Sequence, residues 1–324
     1  AQESRGLGDV YKRQDLVVAK EMINFVPGIV PGIGMAMNCF TQKGDKVMIQ
    51  PPVYHPFAWV TTRNERTLVT NPLKWENGMY RMDLDTFREQ IKGCKLFILC
   101  NPHNPGGVVW TEAELRAIAD ICYDEKVLVF SDEIHADLTL PPHTHRPFAT
   151  VSEKARMNSV TFMSPSKAFN MPGLSASHAL IFNEDLRKRF RIYMDAGELD
   201  MGHVFAFLSV EAAYSHGTEW LDQCLAYIQG NIDFVDDFLK NHAPKIKAIR
   251  PEASYLVWLD CRELKLSQKD LNEFFVDKAH LALNDGEMFG KEGIGFMRLN
   301  VASPRCIIEK AMKQLADAYQ LYIK

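Results

Sequence analysis

At 324 residues the chain is too long for a single small core and is read as one large domain with a smaller one. Its 37 Lys and Arg against 41 Asp and Glu give a net charge of −4, and no basic block is present, which argues against nucleic acid as a partner. The seven cysteines stand singly in mostly apolar runs without metal-ligand spacing, as reduced thiols of a cytoplasmic protein would, and no apolar run reaches the roughly 18 residues that a membrane helix needs.

In chain order, the first fourteen residues, AQESRGLGDVYKRQ, have no clear apolar periodicity and resemble translated linker sequence; they are set aside as an extension over 1–14. The turn PGIVPG then breaks a strand-like approach, and IGMAMNCF resumes at helical spacing. Such a turn presents the backbone of Gly28 and Ile29 at a helix N-terminus, a natural phosphate seat. QPPVYHPF follows and carries Tyr54. From Lys95 the chain reads KLFILC, NPHNPGG, WTEAELRAIADICYDEK and VLVFSDEIH. The outer pieces are short β-forming runs, and between them Thr111 and Glu114 make a capping box that opens a helix with Leu115, Ile118 and Cys122 on one face. That is a βαβ unit.

A further strand, SVTFM, leads into MSPSKAFN and Lys167. Alternating buried strands and amphipathic helices predict a mainly parallel α/β sheet covered on both faces, with ligands at the carboxyl ends of its strands. Three polar clusters, 101–107, 132–135 and 164–167, would then converge on one crevice. Beyond about residue 205 long helical stretches precede ASYLVWLDC and GFMRLNVA, so a large domain is placed at 15–225 and a small α+β domain at 226–324. The last helix starts at Pro304 and carries Ile308, Met312, Leu315 and Tyr319 on one stripe. His143 and His145 have no further ligand nearby and are read as a proline-rich surface loop; no metal is expected.

An aromatic cofactor bearing a phosphate and an aldehyde would need a Schiff-base lysine, a carboxylate for a ring nitrogen, an aromatic face and phosphate donors. Lys167, Asp132, Tyr54, and the set of Ser164, Ser166 and the Gly28–Ile29 backbone match those needs. Taken singly each has an ordinary explanation: a solvated lysine at a strand tip, a carboxylate capping the next helix, a ring in the core.

The ordered set PGIVP, PPVYHP, NPHNPGG, SDEIHADL, SPSKAFN and RLNVASPR resembles the fold-type I pyridoxal-phosphate enzymes, specifically the MalY/PatB-type cystathionine β-lyase branch of the class I/II aminotransferase superfamily. The resemblance runs from about residue 15 to the C-terminus. It implies a seven-stranded-type sheet with a small C-terminal domain and pyridoxal 5′-phosphate as cofactor. It further implies Lys167 as the Schiff-base lysine, Asp132 as partner of the pyridine nitrogen and Asn104 as donor to the ring oxygen. His135 stands where most aminotransferases place a tyrosine, and Arg298 matches the arginine that clamps a substrate α-carboxylate, a bidentate task suited to guanidinium. Where aminotransferases of this superfamily carry a phosphate-binding arginine, this chain has Ser175.

The implied reaction is β-elimination from cystathionine, cysteine or a related amino acid with a β-sulfur substituent, giving a thiol, pyruvate and ammonia. The alternatives are transamination on the same site and, from another class, a regulatory interaction protein that retains the site. The resemblance also implies a homodimer and an N-terminal segment that packs into the small domain and offers a tyrosine to the neighbouring subunit. With residues 1–14 in its place, the chain is expected to be a fragment that binds cofactor weakly and dimerises poorly.

Overall fold

The computed structural model describes residues 18–322, so the extension read over 1–14 lies outside them. Strand β1 (Ile23–Val26) leads into helix α1 (Ile29–Phe40), followed by β2 (Lys46–Ile49), α2 (Pro56–Arg63), β3 (Thr67–Thr70) and the hairpin β4 (Lys74–Glu76) and β5 (Met79–Arg81). Next come α3 (Leu84–Gln90), β6 (Cys94–Cys100), α4 (Glu112–Asp124), β7 (Leu128–Asp132), α5 (Glu153–Met157), β8 (Ser159–Met163) and β9 (Ser177–Leu180). Three helices, α6 (Glu184–Asp195), α7 (Val204–His216) and α8 (Thr218–His242), precede β10 (Lys247–Ile249) and β11 (Leu256–Asp260). The chain closes with α9 (Gln268–Glu273), β12 (Asn284–Asp285), β13 (Phe296–Asn300) and α10 (Arg305–Tyr322).

Seven strands form one sheet in the order β1-β9-β8-β7-β6-β2-β3. The pairings from β8 through β3 are parallel, and β9 runs antiparallel to both of its neighbours. The expected βαβ unit is present: Thr111 and Glu114 make the reciprocal capping box, and α4 buries Leu115, Ile118 and Cys122. Buried β-formers fill β6, β7 and β8, as strands covered on both faces require.

Topology then positions the site. Because β9 is antiparallel to β8 and to β1, strand β1 runs the same way as β8, and its end meets the start of β9 at Val26 and Ser177. The turn after β1 therefore opens at the same sheet edge as the loops after β6, β7 and β8. Helix α1 starts at Ile29 rather than after the second Pro-Gly pair, because Pro31 falls in its first turn, where a missing N–H costs no hydrogen bond. Gly28 caps it at φ 139°, a backbone setting that suits glycine.

A four-stranded antiparallel sheet, β10-β11-β13-β12, makes the small domain. On β13, Met297 and Leu299 enter its core with Ile308, Met312, Leu315 and Tyr319 of α10, while Phe296 on the opposite face joins the core of the large domain. Helix α8 runs unbroken across the boundary expected at 225/226: Leu221 packs with Leu138 and Ala168 of the large domain, and Ile228, Ile232 and Val235 pack into the small one. The two domains also meet at Gly107 (φ +69°), where a Cβ would lie 2.5 Å from that of Pro251. The Gly107 carbonyl accepts from the N–H groups of Glu252 and Ala253 at 2.8 and 3.1 Å. Among the described residues no helix is long and apolar enough to cross a membrane.

Candidate active site

A crevice of about 470 Å³ opens at the carboxyl ends of the parallel strands, between the two domains. Its lining includes Gly28, Ile29, Tyr54, Asn104, Asp132, His135, Ser166, Lys167 and Arg298. Residues separated by as many as 270 positions thus share one cavity for a topological reason: each closes a strand, or sits in the loop or helix turn after one, except Arg298, which the small sheet holds across from them.

Asp132 and Glu133 are neighbours with different surroundings. The Glu133 carboxylate is saturated: it accepts from Ser131 Oγ at 2.8 Å, from the Phe148 N–H at 2.9 Å and meets His145 Nε2 at 2.8 Å. Asp132 is buried at the last position of β7 and accepts from the Ile134 N–H at 3.1 Å through Oδ1, so its carboxyl has capacity left for a ligand. Burial pushes this carboxyl up to about 7, and Glu133 adds to the rise; the Ile134 N–H and the Lys167 ammonium oppose it. A cationic or proton-bearing ring nitrogen is the partner that would relieve that cost.

His145 corrects one sequence expectation. Instead of lying in a surface loop it is buried against Glu133, because its ring supplies a donor that a buried carboxylate needs. His143 stands apart, 3.7 Å from Glu252. No cluster of three or more metal-binding side chains occurs among the described residues.

Arg298 donates from Nη1 to Asn104 Oδ1 and from Nη2 to Asn284 Oδ1, each at 2.8 Å, and its guanidinium lies 4.6 Å from the Phe289 ring centre. Its buried Nε has no partner. Burial pulls its pKa down to about 10, with Tyr54 and Tyr255 working the other way. An incoming carboxylate would therefore meet a guanidinium already oriented by two amides. The same contact occupies the oxygen of Asn104, a residue of the crevice lining, and leaves its NH₂ as donors for a ligand.

His135 is buried with Nδ1 unpartnered, and burial, then Lys167 and Arg298, hold its pKa at about 3. It is a neutral ring that can give or take one hydrogen bond. Its edge meets Tyr255, ring centres 6.3 Å apart. Tyr54 packs edge-on to Phe57 at 5.7 Å, which fixes its ring at the crevice wall.

Ser164 departs from its expected place. It does not line the crevice; its hydroxyl lies 2.7 Å from the Ala176 carbonyl and 2.8 Å from Ser166 Oγ. It also receives the Ser166 N–H at 3.1 Å. Ser164 therefore braces Ser166, which does line the crevice. Sequence reasoning missed Ser177, His55, Tyr255 and Asn284, all on the lining. Ser177 arrives through the antiparallel pairing of β9 with β1, which leaves no local signal in the sequence. Ser175, at φ 48°, occupies the lining where related aminotransferases were expected to carry an arginine.

A family model described as aminotransferase class I and II matches residues 8–315. Cystathionine beta-lyase PatB of Bacillus subtilis (strain 168) is 38% identical over 313 residues, which span 96% of this chain and 81% of that protein. Among solved structures, cystalysin from Treponema denticola, which contains a pyridoxal 5′-phosphate cofactor, aligns with a TM-score of 0.96 at 33% identity, covering 100% of this chain and 82% of that one. A PLP-bound C-S lyase from Staphylococcus hominis aligns with a TM-score of 0.91 at 32% identity, over 98% of this chain and 83% of that one.

Proposed function

The chain belongs to the class I and II aminotransferase family, and from that premise we propose that it is a pyridoxal-phosphate-dependent C–S β-lyase acting on amino acids with a β-sulfur substituent. The observation that carries this reading is the meeting of Lys167, Asp132 and Arg298 in one crevice of a chain 38% identical to a cystathionine beta-lyase. The residues fit the cofactor. Asp132 offers a buried carboxyl with spare capacity, His135 an orphaned ring nitrogen, and α1 the unpaired N–H groups of its first turn. Lys167 would hold the aldehyde, Asp132 the ring nitrogen, Asn104 the ring oxygen, Tyr54 the ring face, and Gly28, Ile29 and Ser166 the phosphate.

When bound, the cofactor supplies an electron sink for the pair left at the substrate α-carbon. Arg298 binds the α-carboxylate and fixes which α-substituent faces Lys167. Lys167 Nζ would accept the α-proton and hold it within the crevice. The C–S bond then breaks with its electron pair on sulfur, and the thiolate takes up a proton to leave as the thiol. Water converts the remaining three-carbon unit to pyruvate and ammonia.

Arg298→Ala is expected to raise KM for a free amino acid by about 30- to 100-fold, because a bidentate charge-assisted contact is lost. The corresponding methyl ester, which lacks the charge, should suffer less. Equal losses for acid and ester in steady-state assays would remove the clamp.

The purified chain should release pyruvate from an S-substituted cysteine without any 2-oxo-acid. A requirement for 2-oxoglutarate would mean transamination instead. The homodimer is supported by the apolar side chains that α7 leaves more than half exposed, Val204, Phe205, Phe207 and Leu208. Sedimentation at the monomer mass in the micromolar range would count against it. The free state of all seven cysteines suits the reducing cytoplasm.

A further inference from the structure

Asn284 stands on β12 directly across from Arg298 on β13, so the two side chains project from the same face of the small sheet. Arg298 can only donate, so the amide atom that meets its Nη2 at 2.8 Å is oxygen. The Asn284 NH₂ is left as a donor on the crevice lining. Anchoring of β12 falls to the next residue, whose carboxylate accepts from three donors: Gln268 Nε2, Asn272 Nδ2 and the Glu287 N–H all meet Asp285. Asn284 itself is exposed, so the fold has little need of its amide.

Arg298 is held at both ends by amides, Asn104 on Nη1 and Asn284 on Nη2. The groups that favour its charge are Tyr54 and Tyr255, with no carboxylate among them. A half-buried guanidinium oriented by neutral partners keeps its whole charge for a ligand. Each Nη bears two N–H bonds, so one on each stays open, and a carboxylate that takes both lies between the two amides. The Asn284 NH₂ then flanks one of its oxygens. Asn284→Asp would fill the same space but neutralise Arg298 and set an anion against the incoming one. An amide orients the guanidinium without competing for it.

We infer that Asn284 is a positioning and specificity residue: its oxygen sets the Arg298 guanidinium, and its NH₂ gives the substrate α-carboxylate a further donor. The inference rests on the clamp reading of Arg298 above and assigns a second residue to that subsite.

The test titrates the full chain, freed of cofactor, with N-(5′-phosphopyridoxyl)-L-alanine and with N-(5′-phosphopyridoxyl)ethylamine, which differ only in the carboxylate. The ratio of their dissociation constants reads the carboxylate subsite alone, and no turnover enters it. The wild-type chain is expected to prefer the alanine conjugate by about 100-fold. Asn284→Asp should cut that preference by at least about 30-fold and Asn284→Ala by about five- to tenfold, while the ethylamine conjugate binds both variants within about threefold of wild type. A wild-type preference in Asn284→Asp, or equal weakening of both conjugates as a merely structural role would give, overturns the assignment. Circular dichroism checks each fold, and if Asn284→Asp does not fold, a wild-type preference in Asn284→Ala overturns it instead. Arg298→Ala goes through the same titration. A wild-type preference there would sink the clamp reading and this inference with it; a preference lost in Arg298→Ala but kept in Asn284→Asp would sink the role of Asn284 alone.

Discussion

Lys167→Ala is expected to lower the rate of pyruvate release by more than about 10³-fold, because one amine is asked both to hold the cofactor and to carry the α-proton. The visible absorbance of the bound cofactor should vanish with it. Lys167 is half-buried at the junction of two cavities and belongs to none of the apolar cores, so the fold should survive, which far-ultraviolet circular dichroism would check. A variant that keeps both colour and turnover would place the chemistry on another lysine.

Asp132→Asn is expected to lower kcat by about 10²-fold or more, since an anion that stabilises a protonated ring nitrogen is replaced by a neutral amide. The same substitution has a signature without cofactor. The folded carboxyl titrates near 7 against an ordinary 3.8. Between those values the folded chain keeps a proton that the unfolded chain has lost, so stability falls as pH rises through that window. Above it the cost is complete, on the order of 4 kcal/mol. Asparagine carries no such charge. Cofactor-free Asp132→Asn is therefore expected to melt above the cofactor-free wild type at about pH 8, with the gap closing as pH falls toward about 4. Parallel melting curves at all pH values would show that Asp132 is not the buried acid described here, and near-normal turnover would move the ring partner elsewhere.

Much of the large domain could be read along the chain because its signals are local. The capping box of Thr111 and Glu114 and the apolar runs of β6, β7 and β8 each announce themselves within a few residues, and the polar clusters that follow those strands are the ones that line the crevice. The misplacements share a different cause, since each depends on a distant partner. Ser164 points to Ala176 because β9 returns antiparallel beside β8. His145 is buried because Glu133, twelve residues earlier, requires a donor. Asn284 reaches Arg298 from a two-residue strand too short to carry a pattern. Around the boundary expected at 225/226 the chain is a single helix, α8, and a helix that packs on both sides shows no break in its apolar stripe.

The central claim is that Lys167 holds pyridoxal phosphate in this crevice. Borohydride reduction of the cofactor-loaded chain, followed by proteolysis and mass spectrometry of every lysine-containing peptide, tests it most directly. The added mass of the reduced cofactor should fall on Lys167 alone, while Lys167→Ala treated in the same way should carry none. Stoichiometric label on another lysine, with Lys167 unmodified, would contradict the account.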